Sequence, residues 1–353
     1  MKIAITSESH IKIKAVGEVF KLNHKDIVIE TFNTGRDLPS QPINEGGMMA
    51  CRERINILEN RIGDKIKEYN YIISIENSIL FDVNKEIYDV VNVILKEGED
   101  IYMITSGFIR IPKFHHKYLE ILSRKYTNKK AKIPSFNVTF GQLLKDEGFV
   151  KDDKNWMREL LGIERFNQVK NAIVDLLETI KLKKSFKKYP DFPKQGIDFK
   201  DINPIFADPK LFDILVNMMS RSIRDTPTKV VGLESRGFIL GTALARKLGT
   251  GFVPIRKKGK LPGETYSIDY IKEYGTDTFE IQKDSLNKND TVLIIDDLLA
   301  TGGSIVAGIK LIRETGAKLQ SCMVIEKVDV LYDIAIEQLN KLNLDGIDLI
   351  VVL

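Results

Sequence analysis

Residues 291–304 constrain the fold more than any other stretch of this chain. Thr291-Val292-Leu293-Ile294-Ile295 is an apolar β-branched run of the kind that forms a strand buried on both faces, and it breaks into Asp296-Asp297 and a small-residue turn. A helix follows at once. Ile305, Ile309 and Ile312 recur at helical spacing, so Gly302, Gly303 and Ser304 lie where the first helical N–H groups have no backbone partner. Such an end binds anions: the glycines allow close approach, Thr301 and Ser304 add hydroxyl donors, and the helix dipole favours negative charge. Asp296 and Asp297 repel phosphate but suit a neutral diol or a bound cation. Two acids alone, or two glycines alone, fit an ordinary solvated turn. Their combination points to a phosphate with vicinal hydroxyls, as in a ribose 5-phosphate.

This stretch resembles the phosphoribosyl pyrophosphate (PRPP) loop of type I phosphoribosyltransferases, and Leu298-Leu299-Ala300-Thr301-Gly302-Gly303 is the form found in the adenine phosphoribosyltransferase family. The resemblance implies that Asp296 and Asp297 hold the ribose hydroxyls. It also implies that Ala300, Thr301, Gly302, Gly303 and Ser304 wrap the 5-phosphate.

Other motifs of that family occur in order between about Phe192 and Glu326. Phe192-Pro193-Lys194-Gln195-Gly196-Ile197-Asp198-Phe199-Lys200-Asp201-Ile202 has too many turn formers for a long helix and too many apolar residues for a tail. An aromatic flanked by open backbone can stack on a flat base and read its edge. The segment resembles the family's hood, which implies an adenine site at Ile197, Phe199 and Lys200. Val230 to Leu233 reads as a strand turning at Glu234-Ser235-Arg236-Gly237 into a helix from Phe238 to Leu248. Phe252 to Ile255 is another strand, followed by the cationic Arg256-Lys257-Lys258-Gly259-Lys260, which alone would be a solvated face. Tyr266 to Tyr274 reads as a mobile flap carrying Glu273. By resemblance, Arg236, Arg256, Lys257 and Lys260 grip pyrophosphate with the Glu234-Ser235 loop, and Glu273 manages the purine proton. The catalytic set is therefore Glu273, Arg236 and Lys257. One departure comes late: where the family continues Glu-Leu-x-x-Leu-x-Gly, this chain has Glu326-Lys327-Val328-Asp329-Val330-Leu331.

The first half carries a second pattern. Lys2 to Thr6 reads as a strand and Ile11 to Leu22 as a helix, with Ser9, His10 and Lys12 between and just inside. Ile27 to Phe32 is a strand, and a long loop containing Pro39-Ser40-Gln41-Pro42 leads to a helix from Met48 to Tyr69. A buried strand, Tyr71 to Ile75, ends at Glu76; hairpin strands Ile79 to Val83 and Ile87 to Leu95 join at Asn84-Lys85, and Ile101 to Thr105 is a further strand. Phe166, Val169, Ile173, Leu176 and Ile180 form a core stripe on a closing helix. The order resembles the inosine/xanthosine triphosphatase family. Ser9, Lys12, Arg52, Arg54, Glu76 and Arg165 fall at its motif positions and imply a nucleotide site. The departures matter more. That family has neighbouring acids for magnesium after its Gln-Pro, whereas this chain has Gly46-Gly47-Met48 and only Glu45 nearby. A nucleotide-binding or inactive relative is expected, against the alternatives of a bifunctional enzyme that also hydrolyses ITP and XTP, or a PRPP-sensing regulator. His115-His116 lacks a supporting ligand cluster, and Trp156 is assigned to packing.

At 353 residues the chain can hold two cores. The expected fold class is α/β in two domains: a mixed-sheet triphosphatase-like domain over 1–180, a charged linker over 181–190, and a type I phosphoribosyltransferase fold with a parallel sheet over 191–353. The net charge of +4 is spread along the chain, so no nucleic-acid partner is predicted. Two cysteines, no leader and no spanning apolar run lead to the expectation of a cytoplasmic chain without a membrane partner. The resemblance further implies adenine and PRPP as substrates, Mg²⁺ carried by PRPP without a dedicated protein cage, and a homodimer through the C-terminal domain.

Overall fold

The computed structural model describes residues 1–22, 24, 26–35, 38, 40–81, 86–113, 132–192, 199–272, 275–342 and 347–353. The chain divides into two compact units, Met1–Ile180 and Lys181–Leu353.

Unit 1 is built on a five-stranded sheet. In chain order its elements are β1 (Lys2–Ile5), α1 (His10–Lys21), β2 (Val28–Thr31), β3 (Gln41–Pro42), α2 (Gly46–Ile62), β4 (Tyr71–Phe81), β5 (Ile87–Glu97), β6 (Asp100–Arg110), β7 (Ser135–Phe136), α3 (Phe140–Asp146) and α4 (Trp156–Leu161). The closing helix, α5 (Arg165–Ser185), ends beyond the unit boundary. The sheet order is β2-β1-β4-β5-β6, with β2, β1 and β4 parallel and the rest antiparallel. Alternation along the strands fills both faces. Ile3, Ile5, Ile73 and Ile75 meet α1 and the expected α5 stripe, while Ala4 and Ile72 meet Cys51, Ile55 and Leu58 of α2. Trp156 does pack, edge-on to Phe140 with ring centres 5.1 Å apart.

The expected break after Ile75 is absent. β4 runs through Glu76 to Phe81 and pairs with β5 along its length, because Ser78 and Asn92 are buried inside the ladder and hydrogen-bonded to each other there instead of marking a turn, with Ser74 buried on the same strand. Asn84-Lys85, Pro39 and His115-His116 lie outside the described residues.

Unit 2 contains β8 (Lys187–Tyr189), β9 (Phe199–Asp201), α6 (Asn203–Ala207), α7 (Pro209–Arg221), β10 (Lys229–Leu233), α8 (Arg236–Leu248), β11 (Gly251–Lys257), β12 (Thr265–Lys272), β13 (Gly275–Gln282), β14 (Thr291–Leu299), α9 (Gly303–Glu314), β15 (Lys318–Lys327), α10 (Asp329–Asn340) and β16 (Asp348–Val351). Seven strands form one sheet in the order β12-β13-β11-β10-β14-β15-β16. The five from β11 to β16 are parallel, as expected, and the apolar C-terminal segment supplies the outer one. Val231 and Ile294 face α9 and α10 on one side; Val230 and Leu293 face α7 and α8 on the other.

Two expectations change here. Residues 181–188 are not a free linker: Lys181–Ser185 finish α5, Leu182 is buried in the core of unit 2, and Lys187–Tyr189 pair with Phe199–Asp201. The flap from Tyr266 is a regular strand, β12, antiparallel to β13. Tyr266, Ile268 and Tyr270 alternate with Ser267 and Asp269, which is the period of a half-buried strand.

Candidate active site

The site lies at the carboxyl ends of the parallel strands of unit 2, where α8 and α9 begin. β14 continues through both acids to Leu299 along β15, but its ladder with β10 ends at Ile295. The chain therefore leaves β10 at Glu234, and the loop to α8 faces Asp296 and Asp297. The Glu234–Ser235 peptide is cis.

Gly302 caps α9 in the left-handed region, at φ 87°, and a side-chain carbon there would meet Ala335 of α10. Only glycine takes that conformation without strain. Ala300, Thr301 and Gly302 form the turn, with Gly303 and Ser304 opening the helix, so the five residues lie together at a helix N-terminus.

The acids are tightly placed. Asp297 is 8% exposed and receives Arg236 Nη1 on Oδ2 at 2.8 Å. The Asp296 carboxylate accepts the backbone N–H of Asp297. Burial, and then the neighbouring Asp297 charge, push the Asp296 carboxyl well above the usual carboxylate range. Burial also raises Asp297, against the lowering pull of Arg236.

The cations occupy two supports. Glu234 Oε2 accepts the backbone N–H of Lys257 at 2.8 Å and lies 3.5 Å from Arg256 Nε. Arg256 Nη1 donates to the carbonyl of Lys260 at 3.2 Å, which closes the basic loop. The second support is β13, which the sequence reading left without a role. Glu280 accepts the Gly259 N–H, the Thr278 carbonyl accepts the Lys258 N–H, and Asp277 pairs with Lys257 Nζ at 3.5 Å. Strand alternation across Ser267, Tyr270, Asp277 and Glu280 was the available signal. Glu234 and Ser235 thus stand beside Arg236, with Glu234 serving the cations.

Phe199 lies on β9 with Arg236 Cζ 5.6 Å from its ring centre, and Phe192 packs against it. Lys200 of the same strand is paired with buried Glu326 at 3.1 Å. Glu326, the residue before the departure from the family pattern, thus meets the strand that carries Phe199 and Lys200. Ile197 and Glu273 lie outside the described residues.

The phosphoribosyl transferase domain family matches residues 202–335. An adenine phosphoribosyltransferase from Natranaerobius thermophilus is 51% identical over 136 residues, covering 38% of this chain and 80% of the relative. The chain belongs to the adenine phosphoribosyltransferase family. A second adenine phosphoribosyltransferase, from Geobacter metallireducens, is 48% identical over 151 residues, covering 42% of this chain and 88% of the relative. The crystal structure of the Saccharomyces cerevisiae adenine phosphoribosyltransferase with an imino-altritol bisphosphate and adenine is 39% identical, covers 50% of this chain and 99% of its own, and gives a TM-score of 0.47. The phosphoribosyltransferase match begins after β9 and leaves unit 1 outside it.

In unit 1 the sequence-selected residues separate. Ser9 precedes α1 at the carboxyl end of β1. Lys12 donates to the Ile75 carbonyl at 2.7 Å and lies 3.6 Å from Glu76, and Arg54 Nη2 is 2.6 Å from the other Glu76 oxygen. Lys12, Arg54 and Glu76 are thus brought together. Arg52 instead reaches the Met103 sulfur, and Arg165 bonds Asp89 and Gln168. Of the six expected residues, the structure therefore brings three together. A side chain at Gly47 would collide with Asn92 and Ser78, so no second acid fits at that position after Glu45. Among the described residues of the chain, no group of three His, Cys, Asp or Glu is placed to hold a metal, and no helix is long and apolar enough to cross a membrane.

Proposed function

We propose that unit 2 transfers the phosphoribosyl group of PRPP to adenine, giving AMP and pyrophosphate, in purine salvage. The observation that carries this reading is the left-handed Gly302 opening α9 directly after the Asp296-Asp297 pair, within a domain 51% identical to a named adenine phosphoribosyltransferase. The α9 N–H groups, with Thr301 and Ser304, take the 5-phosphate. Asp296 and Asp297 take the ribose hydroxyls, and their raised affinity for a proton limits the charge set against the phosphates. Phe199 stacks on adenine, with Ile197 and Lys200 nearby.

Chemically, the reaction needs a pyrophosphate leaving group held by cations and a ribosyl carbon that becomes cationic. Arg236, Arg256, Lys257 and Lys260 stabilise the departing charge. Glu273 is the acid/base residue for the purine. The acids of this site are a buried pair tied to Arg236, which fits Mg²⁺ carried on PRPP more than a protein cage. When bound, Mg²⁺ neutralises the pyrophosphate. A homodimer through unit 2 and a cytoplasmic location complete the proposal.

For unit 1 we infer a non-hydrolytic relative of the inosine/xanthosine triphosphatases. The triad supports it: Glu76 is neutralised by two cations, and the space for further acids is filled. The test is AMP formation with PRPP and Mg²⁺ and each of adenine, hypoxanthine, guanine and xanthine, alongside ITP and XTP hydrolysis by the same chain. AMP from adenine and no hydrolysis is expected. Absence of AMP with measurable PRPP binding would favour a regulator, and hydrolysis would make the chain bifunctional.

A further inference from the structure

Lys257, a member of the proposed pyrophosphate grip, has its charged end held by the β12–β13 pair. Its backbone N–H is fixed by Glu234 from the α8 loop, but its ammonium lies 3.5 Å from Asp277 Oδ2. Asp277 is the registered partner of Tyr270 across the two strands. In an antiparallel pair, directly opposed residues project to the same face. Tyr270 is 7% exposed, stacks on Phe279 at 4.4 Å, and lines one cavity with Thr301 and Gly303 at the opening of α9. A single cross-strand pair therefore reaches both proposed phosphate ends of the site: Tyr270 beside the Thr301–Gly303 turn and Asp277 at Lys257 of the pyrophosphate grip.

Resting on the phosphoribosyltransferase reading, we propose that Asp277 competes with pyrophosphate for Lys257, so that the ammonium is handed from Asp277 to PRPP on binding and back to Asp277 as pyrophosphate leaves. The exchange is energetically modest in both directions. Both side chains are partly exposed, so the pair is weak enough to be displaced by a polyanion. A carboxylate beside a bound polyanion also raises the free energy of that complex, which speeds departure. Lys257 is a flexible, compact charge, suited to such a transfer in a way that a forked guanidinium is not.

The test is calorimetric binding of PRPP, and separately of pyrophosphate, to the full chain carrying Asp277→Asn or Asp277→Glu. Asp277→Asn is expected to bind both ligands about threefold to fivefold more tightly at low salt, with the gain shrinking as salt is added. Its KM for PRPP falls and pyrophosphate inhibits it at lower concentration, while the KM for adenine stays put. Asp277→Glu keeps the charge and restores the unsubstituted behaviour. A residue that merely stiffens the strands would move both variants alike and leave no salt dependence. Unchanged or weaker PRPP binding by Asp277→Asn, with the unsubstituted chain binding PRPP and forming AMP, overturns the exchange alone. Failure of the unsubstituted chain to bind PRPP overturns the functional reading and the exchange with it.

Discussion

Arg236 Nη1 and Asp297 Oδ2 are 2.8 Å apart, and the pair ties the loop after β10 to the acid step in β14. The aspartate is nearly buried and the arginine about one-third exposed. Arg236→Ala leaves that carboxylate without its cation, and an unfolding free energy lower by about 1.5–3 kcal/mol is expected by urea titration. Arg236→Lys retains charge but loses the fork, so its loss should be smaller. Equal stability of all three proteins would show that the pair holds nothing in place. PRPP turnover should fall in both variants.

Asp296 gives a pH signature. Burial and the charge of Asp297 raise its folded-state affinity for a proton, so the folded value lies above an unfolded value of about 3.9. Stability from that proton is fully present below about 3.9 and is lost as pH rises through the folded value. The unsubstituted chain should therefore lose Tm as pH climbs from about 4 toward neutrality. Asp296→Asn, which removes the buried charge, should flatten that decline and melt higher at neutral pH, while binding PRPP more weakly. A parallel decline in the two proteins would remove Asp296 as its source.

Gly302 is predicted to be intolerant of any side chain. Its φ of 87° costs an L-residue roughly 1–2 kcal/mol, and the added carbon would sit 3.2 Å from Ala335 Cα. Relief requires moving either α10 or the turn, and the turn is the proposed phosphate cradle. Gly302→Ala should raise the KM for PRPP by an order of magnitude or more, with a smaller effect on adenine. An unchanged KM would mean that the cradle tolerates the shift.

These sites were legible in the sequence to different degrees, for physical reasons. The β14–α9 turn was readable because glycine, small hydroxyls and adjacent acids each answer a local backbone need. Arg236 was readable only as a candidate anion ligand, and its pairing with Asp297 was not, since two loops distant in sequence meet only through the parallel ladder. Where a mobile flap is expected from Tyr266, the structure has the regular strand β12, which the alternation of Tyr266, Ile268 and Tyr270 asks for. Asp277 and Glu280 were missed with it. In unit 1 the arginines at 52 and 54 are two residues apart on α2, which sends them about 200° apart around the axis. One reaches Glu76 and the other Met103. The resemblance to a family's Arg-x-Arg pattern groups them, and helix geometry separates them.

Phe199 is expected to set affinity for the base. Base–aromatic stacking contributes about 1–3 kcal/mol, so Phe199→Ala should raise the KM for adenine by roughly 10- to 100-fold. PRPP affinity should change only slightly, through the neighbouring Arg236, whose guanidinium lies 5.6 Å from the ring centre. A loss confined to PRPP would place the base elsewhere. Phe199→Tyr, which keeps the ring face, should retain most of the affinity.

Glu76 tests whether unit 1 needs its acid for chemistry or for structure. Its side chain is 13% exposed and is met by Lys12 on one oxygen and Arg54 on the other. Removing a partly buried charge with two cationic partners exposes their mutual repulsion, so Glu76→Gln should destabilise unit 1 by about 1.5–3 kcal/mol, seen as a lower first transition in calorimetry. Glu76→Gln combined with Lys12→Met removes one cation as well and should recover part of that loss, since the remaining arginine can still bond the amide oxygen. AMP formation should persist in both proteins. A catalytic acid behaves differently: its amide substitution would leave the unit as stable as before and abolish a nucleotide-hydrolysing activity. Recovery by the double substitution separates the structural triad from that alternative.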